Sequence, residues 1–173
     1  DLGERIKELS CLYDVMQVTE DLGRDLDDML STVAQRLPAA MRYPGAAQGW
    51  IEYRGKRHGP IAEGLHLSVS FGDPQGEAGR LGVTYQGPLP ADAGEPFLPE
   101  ERALLDTLGL RLTAVLHRRR VEASLTQTDR ALRTARQCGQ LLIHAQQEDQ
   151  LMQDICRLAV EVGGYRMAWV GIA

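Results

Sequence analysis

Residues 65–85, LHLSVSFGDPQGEAGRLGVTY, decide the fold. Leucine, valine and phenylalanine alternate with histidine and serine through the first seven residues, which is the pattern of a β-strand with one apolar and one polar face. Glycine, proline and aspartate crowd positions 72–79 and predict a turn, after which RLGVTY predicts the next strand. Because so short a connection cannot make a parallel crossover, the two strands are predicted to run antiparallel.

The same period of two appears upstream of this stretch. The residues GWIEY alternate around Trp50 and Tyr53, and the sequence RGK at 54–56 predicts a tight turn into a short strand near residues 58–62. All of these connections are short. The sequence therefore predicts an antiparallel meander.

Two amphipathic helices are predicted before the sheet. The first has apolar residues at 4-3-4-3 spacing, which lays a narrow stripe along one side of the helix. Such a stripe is typical of a helix–helix seam, whereas a helix that covers a core has a broader apolar face. A turn around Gly23 separates the two helices, and Pro38 ends the second. The stripe of the first helix consists of Leu2, Ile6, Leu9, Tyr13 and Met16, and that of the second of Leu26, Leu30, Val33 and Leu37.

A long helix is predicted after the sheet, beyond an irregular loop at residues 87–96. It begins near Pro99, with Glu100 and Glu101 at its positive end. Its first part, residues 104–116, carries an apolar stripe broad enough to cover one face of the sheet. Farther along, the stripe narrows to Val121, Leu125, Thr128, Leu132 and Ala135.

This long helix predicts a dimer. If it is unbroken from Pro99 to Cys138, its length is about 60 Å at about 1.5 Å per residue. Each leucine of the narrow stripes contributes about 1.5–3 kcal/mol when it is fully buried, so both stripes favour a partner helix. We therefore predict a parallel homodimer through the two narrow stripes, with antiparallel packing of the two helices inside one chain as the alternative.

An order of three elements occurs twice in the chain. A helix with a cysteine is followed by an amphipathic helix of 4-3-4 spacing and then by a strand around a tryptophan. In the first copy these elements contain Cys11, Leu26 to Leu37, and Trp50. In the second copy they contain Cys138, Leu151 to Val162, and Trp169. Such a repeat predicts a second copy of one domain, with residues 166–172 as its first strand. Without the other strands of that sheet, we expect this segment to be disordered, to pack on the preceding helix or to add to a sheet edge in a partner chain.

The stretches that carry this pattern resemble GAF domains. GEAGRLGVTY (76–85) and PFLPEERALLDTLGLRLTAVLHRRRVEASL (96–125) are similar to the C-terminal half of that family. SCLYDVMQVTEDLGRDLDDMLSTVAQRLPAAM (10–41) resembles its two N-terminal helices. CGQLLIHAQQEDQLMQDICRLAVEVGGYRMAWVGIA (138–173) resembles the start of another GAF domain, as found in tandem in bacterial sensor proteins.

The resemblance implies an α+β fold, with a central antiparallel sheet, the N- and C-terminal helices on one face, and a long C-terminal connector helix. Residues 1–116 would form the GAF-like domain, 117–140 a coiled-coil-like signalling connector, and 141–173 the truncated start of a second domain. The expected function is a non-catalytic sensory or signal-relay domain of a bacterial signal-transduction protein. Its expected partners are a second copy and a downstream output domain, such as the histidine kinase of a two-component system or a diguanylate cyclase.

The alternative that the resemblance leaves open is a small-molecule receptor for a cyclic nucleotide, haem or a metabolite. Its pocket would be lined by Trp50, His66, Ser68 and Tyr85. Two departures from the family argue for no cofactor. The segments between the strands are too short for the lid helices of ligand-binding members, and the attachment cysteine of bilin-binding members and the Asn-Lys-x-Asp pattern for cyclic nucleotides are both missing.

Composition narrows the function further. The net charge of the 173 residues is −5, and the basic run at 118–120 is interpreted as a solvated stretch of helix, so we expect no nucleic-acid partner. No window carries the roughly 18 uninterrupted apolar residues of a membrane span, so we expect no membrane-spanning segment within these 173 residues. Three widely spaced cysteines without metal-ligand spacing predict reduced thiols and a cytoplasmic location.

No catalytic motif is present, and we do not expect an enzyme or a metal site. His58 and His66 are candidate pocket residues or metal or haem ligands, or else simply exposed or hydrogen-bonded side chains. The acidic cluster at 20–28 is interpreted as the start of a helix, because the spacing of an EF-hand calcium loop is missing. The aromatic residues that could line a pocket or fill the core are Trp50, Tyr53, Phe71 and Tyr85.

Overall fold

The computed structural model describes residues 2–60, 63–72, 76–87, 95–144 and 147–170. Helices and strands alternate in blocks along these ranges, which confirms the predicted α+β class. In chain order they are α1 (Leu2–Glu20), α2 (Leu26–Arg36), a 3-10 helix (Leu37–Ala40), β1 (Ala47–Tyr53), β2 (Lys56–His58), β3 (Leu65–Gly72), β4 (Ala78–Tyr85), α3 (Pro99–His144) and α4 (Glu148–Glu161).

The four strands form one antiparallel sheet in the order β2-β1-β4-β3. The predicted antiparallel pairing is confirmed, but a simple meander is wrong, because β1 and β4 pair in the centre and β2 and β3 lie at the edges. Strand β2 follows β1 through Arg54 and Gly55, whose φ angles of 53° and 70° suit a tight hairpin turn. The predicted short strand near 58–62 lies earlier, at Lys56–His58, and residues 61–62 are outside the described ranges.

One face of the sheet is covered by helices. Apolar side chains of α1, α2 and the first part of α3 join alternate residues of all the longer strands in a single buried cluster. The broad stripe predicted for residues 104–116 is part of it, as is the stripe of α2. Members of the cluster include Val15, Met29, Leu30, Val33, Ile51, Leu67, Leu81, Val83, Leu105, Leu108 and Leu112.

Helix α2 approaches β1 closely at Gly49. A Cβ atom built on Gly49 would lie 2.1 Å from the carbonyl oxygen of Ala34 and 2.9 Å from Leu37 Cβ. The start of α2 is fixed by Asp25, whose carboxylate accepts hydrogen bonds from the backbone N–H groups of Asp27 and Asp28 at 2.9 and 3.1 Å. This is an N-cap, which is the role that the sequence predicted for the acidic cluster.

The chain divides into two compact units, residues 1–119 and 120–173. Helix α3 begins in the first unit and ends in the second, and it is unbroken from Pro99 past Cys138 to His144. Every residue of the buried cluster belongs to the first unit. In the described part of the second unit, no side chain is fully buried. None of the helices described in this protein combines the length and the apolarity needed to cross a membrane.

Residues 166–170 have no regular secondary structure in this chain, and the assignment of 166–172 as the first strand of a second domain stays a prediction. The turn before it is present, because Gly164 has a φ of 71° and the backbone N–H groups of Gly163 and Tyr165 bond to carbonyl oxygens in the last turn of α4. A strand needs a hydrogen-bonded neighbour, and no strand of the described residues pairs with this segment. Residues 171–173 lie outside the described ranges.

We expect Gly49→Ala to destabilise the first unit. The added methyl group would meet backbone atoms of α2, which cannot move aside as a flexible side chain can, so the free energy of unfolding should fall by about 1–3 kcal/mol or more. Urea denaturation followed by circular dichroism measures this loss. Gly45→Ala is the matched control, because nothing lies within 4 Å of a Cβ atom at Gly45, and its effect should stay within about 0.5 kcal/mol. Equal stability of the two variants would contradict the close packing.

Candidate functional site

The face of the sheet opposite the helices carries polar side chains around one buried tryptophan. Trp50 is 4% exposed and lies outside the core cluster. Its indole Nε1 donates a hydrogen bond to Thr84 Oγ1 at 3.0 Å, and Thr84 is itself buried. The ring crosses β4 above Gly82, where a Cβ atom would lie 2.6 Å from Trp50 Cζ2. Glycine at 82 therefore makes room for the indole, and Thr84 fixes its orientation.

Two arginines cover this tryptophan. The guanidinium carbon of Arg57 lies 4.6 Å from the Trp50 ring centroid, and that of Arg80 lies 5.6 Å from it. Both contacts have the geometry of a cation–π interaction. Because the flat guanidinium groups shield the indole from water, an apolar ring is kept on an otherwise polar face.

A cavity of about 340 Å³ opens beside Trp50. It is lined by Trp50, Glu52, Arg57, His66, Arg80 and Thr84. Two of the four residues predicted to line a pocket, Trp50 and His66, therefore meet here. Ser68 lies on the same face of the sheet and accepts a hydrogen bond from Arg80 Nη2 at 3.2 Å, although it does not line the cavity.

Tyr85, the fourth predicted pocket residue, lies on the other face of the sheet. It belongs to the core cluster and is 1% exposed. Its ring stacks on Phe97 with centroids 4.8 Å apart and meets Tyr43 edge-on at 5.8 Å. Ligand binding by the predicted set stays a prediction, and Tyr85 is separated from its other three members by the sheet itself.

The hydroxyl group of Tyr85 donates a hydrogen bond to a buried carboxylate, which the sequence predicted only as an acidic residue at the start of a helix. Glu101, 4% exposed, accepts hydrogen bonds from Tyr85 Oη and the Arg42 backbone N–H through Oε1, and from the Leu98 backbone N–H through Oε2, each at 2.7 Å. The bond to Leu98 is half of a capping box, in which a glutamate in the first helical turn reaches back to the residue before the helix. Glu101 therefore joins the start of α3 to β4 and to the segment before β1.

Burial, together with the hydrogen bond to Glu101 and the negative charge of that carboxylate, raises the pKa of the Tyr85 phenol well above its ordinary value. The neutral phenol is the form that can donate to a carboxylate. Deprotonation would place two negative charges side by side in a buried position, where charges are costly. Tyr85 and Glu101 therefore form one unit that depends on the phenol keeping its proton.

His58 is a buried side chain with structural contacts rather than a ligand in a pocket. It is buried under α2, with Nδ1 3.0 Å from Ser31 Oγ and Nε2 3.5 Å from Asp27 Oδ1. Asp27 also pairs with Lys56, and this hydrogen bond holds the pKa of the Asp27 carboxyl below its usual value. No cluster of three or more His, Cys, Asp or Glu residues in the described part of the chain could hold a metal ion.

Both predicted seams are exposed in the single chain. On α1, Ile6, Leu9, Tyr13 and Met16 are 45–65% exposed, and on α3, Val121, Leu125 and Leu132 are 51–68% exposed. Ala135 is exposed as well, whereas nothing is described of the Leu2 side chain. The opposite side of α1, with Cys11 and Val15, is buried against the core. Helix α1 thus has an apolar residue set on each side, of which one is covered.

No protein-family model, curated protein or solved structure matches this chain.

We expect Tyr85→Phe to lower the free energy of unfolding by about 1–3 kcal/mol, because it leaves the buried Glu101 carboxylate with one donor fewer. Tyr165→Phe is the matched control. Tyr165 is 61% exposed and lies outside both seams, so the loss of its hydroxyl should cost less than about 0.5 kcal/mol. Urea denaturation at pH 7 compares the two variants, and a Tyr85→Phe variant as stable as the parent would rule out the buried hydrogen bond.

The raised pKa of Tyr85 also predicts a dependence of stability on pH. Below about pH 10 the phenol is neutral in both the folded and the unfolded chain, so its stabilising effect is fully present. Above about pH 10 the unfolded chain loses this proton first, and the stabilisation declines by up to about 1.4 kcal/mol per pH unit. Between pH 9 and pH 11 the parent should therefore lose stability more steeply than Tyr85→Phe. Parallel slopes for the two proteins in urea denaturation would contradict the shift.

Proposed function

We propose that this chain is a non-catalytic sensory or signal-relay domain of GAF type, which forms a homodimer through α1 and α3. The relay acts on a downstream output domain, for which a histidine kinase or a diguanylate cyclase is the expected class. The observation that carries the proposal is the pair of narrow apolar stripes, Ile6 to Met16 on α1 and Val121 to Leu132 on α3, which the single chain leaves exposed.

The presence of apolar residues on both sides of α1 supports a partner on its outer side. One side of this helix packs Cys11 and Val15 into the core, while Leu9 and Tyr13 on the outer side are more than 60% exposed. An exposed stripe at heptad spacing is the arrangement that a second helix covers in a coiled coil. A second copy of the chain carries an identical stripe. Contact between the same surface of two copies gives a symmetric dimer, which is the commonest symmetric assembly of proteins.

The second unit supports a partner for a different reason. Among the described residues of 120–173, no side chain is fully buried, although Val121, Leu125 and Leu132 lie along one line of α3. A long helix with such a line of apolar residues gains little stability from its own contacts. A parallel copy of α3 would bury this line and would stabilise the helix over its whole length.

A relay follows from the way in which α3 is held. Its first turn is tied to the sheet by Glu101, and the helix then continues without a break to His144. A change in the packing of α3 at the sheet would alter the packing of the same helix in the seam. A relay of this kind requires no catalytic residue of its own, and the chemistry would reside in the output domain.

We expect the double substitution Leu125→Glu and Leu132→Glu, and separately Leu9→Glu, to convert a dimer into a monomer. In a symmetric dimer each substitution removes two buried leucines and adds two like charges, so the dissociation constant should rise at least about a hundredfold. Gln127→Glu and Ser10→Glu are the matched controls, because they add the same charge at exposed positions next to the seams. Multi-angle light scattering over a concentration series measures the mass of each protein.

Two results would contradict the proposed seam. One is a parent protein that stays monomeric at every concentration, and the other is a seam variant that dimerises as the parent does. Met167→Ser with Trp169→Ser distinguishes the seam from the exposed terminal segment. A dimer that survives this change rests on the seam, whereas one that is lost rests on the segment.

A further inference from the structure

Charged side chains form a row across the outer face of the sheet. In the register of the strands, Glu52 of β1 is the direct neighbour of Arg57 on β2 and of Arg80 on β4. Residues directly opposite each other in an antiparallel pair project their side chains on the same face, where they can interact. The row Arg57–Glu52–Arg80 therefore holds two positive charges and one negative charge.

The single carboxylate of this row, that of Glu52, pairs with Arg57 rather than with Arg80. Glu52 Oε1 lies 3.2 Å from Arg57 Nη1, whereas Arg80 pairs with no carboxylate of the described residues and donates to the hydroxyl of Ser68 instead. Two guanidinium groups on one indole ring repel each other unless a negative charge lies near both of them. The row therefore carries a net positive charge and has no carboxylate paired on the side of Arg80.

Arg57 also has an unused donor. Its Nε atom is buried and has no hydrogen-bond partner among the described residues. A buried donor without an acceptor costs about 1–3 kcal/mol, so such a group in a folded protein requires an explanation. An acceptor supplied from outside the chain would satisfy it.

Space for such an acceptor is present beside both arginines. Arg57, Glu52 and Arg80 line the 340 Å³ cavity next to Trp50 and also a second cavity of about 510 Å³ toward the β1–β2 turn. Arg54 and Lys56 line the second cavity, and each of them already has a carboxylate partner, Glu77 and Asp27 respectively. Arg80 is thus the cation of this group that lacks a carboxylate, and it lies where the two cavities share their lining.

We propose that Arg57 and Arg80 bind a small dianion on the outer face of the sheet, with Trp50 as the floor of the site. Guanidinium groups present forked N–H donors that match the oxygens of carboxylate and phosphate groups. Arg80 supplies the fork, the Nε of Arg57 supplies a further donor, and Glu52 keeps Arg57 in place. The cavity volume lies within the range of small-molecule sites, so the dianion can be part of a metabolite-sized compound.

The proposed ligand presents two negative oxygens to the two guanidinium groups. Two classes of compound carry such oxygens. One is a phosphate group, free or as an ester, and the other is a small dicarboxylate. Inorganic phosphate and succinate represent the two sources as probes. Sodium chloride at matched ionic strength is the control for general screening of charge.

Trp50 provides a reporter inside the site. The chain has two tryptophans, and Trp169 is 79% exposed in the second unit, so Trp169→Phe leaves Trp50 as the single source of tryptophan fluorescence. Because both guanidinium groups lie on its ring, binding of an anion to them should change its emission. We expect a saturable change in the millimolar range or below for phosphate, succinate or both, and none with chloride. The probe that binds more tightly identifies the source.

Arg80→Gln in this background should weaken binding at least about tenfold, because charge-assisted hydrogen bonds to the anion are lost. Arg133→Gln is the matched control. It removes the same charge from α3, where Arg133 pairs with Asp129, and it should bind as the parent does. Arg80→Lys keeps the charge but not the fork and should bind more weakly than the parent, which separates the arginine geometry from charge alone. Circular dichroism checks that each variant is folded. If Arg80→Gln is not folded, Arg57→Gln takes its place as the site variant.

The site is overturned if neither phosphate nor succinate gives a saturable change beyond that of chloride. It is equally overturned if Arg80→Gln binds as tightly as the parent, or if Arg133→Gln weakens binding as much as Arg80→Gln does. The inference does not rest on the dimer seam. Light scattering on the same samples separates the two proposals. A monomer that binds the anion supports the anion site and refutes the dimer relay. A dimer that does not bind the anion supports the dimer and refutes the anion site.

Discussion

The carboxylate of Glu101 joins three parts of the chain that are distant in sequence. It accepts from the backbone of Arg42 before β1, from the backbone of Leu98 before α3, and from the hydroxyl of Tyr85 at the end of β4. A buried carboxylate is tolerated only when its oxygens are hydrogen-bonded, and here three donors surround it. The direction in which α3 leaves the sheet, and with it the covering of the core by residues 104–116, depends on this one group.

Hydrophobic periodicity and turn-forming residues predicted the helices and strands of this fold more accurately than the arrangement of those helices and strands. Alternation identified the three longer strands, and 4-3-4-3 spacing identified α1 and α3. Strand order was not predictable, because β3 and β4 carry no pattern that says which of them pairs with β1. The central position of β1 and β4 follows from burial on both faces, in which Trp50 and Thr84 are buried on one and Ile51 and Val83 on the other.

The sequence predicted two of the six residues that line the cavity beside Trp50. Trp50 and His66 were found because they stand out in alternating strands, whereas Arg57, Arg80 and Thr84 look like ordinary polar residues until the register brings them together. Tyr85 was grouped with them although it differs in phase from Thr84 by one residue, and consistent counting along RLGVTY would have placed it in the core. Glu101 was read as a helix-start acid, which is half of its role. The last segment resembles a strand in composition, but a strand also needs a neighbour, and composition does not supply one.

Thr84 and Tyr85 are adjacent in sequence and hydrogen-bond on opposite faces of the sheet, Thr84 with Trp50 and Tyr85 with Glu101. A slip of β4 by one residue would turn the phenol toward Trp50 and the threonine toward the carboxylate. Both bonds would be lost together, and a buried carboxylate would be left without one of its donors. Gly82, two residues earlier, would leave its place under the indole in the same step. Strand β4 thus excludes its own misaligned pairings through three contacts near its end, and that protection does not depend on the length of the strand.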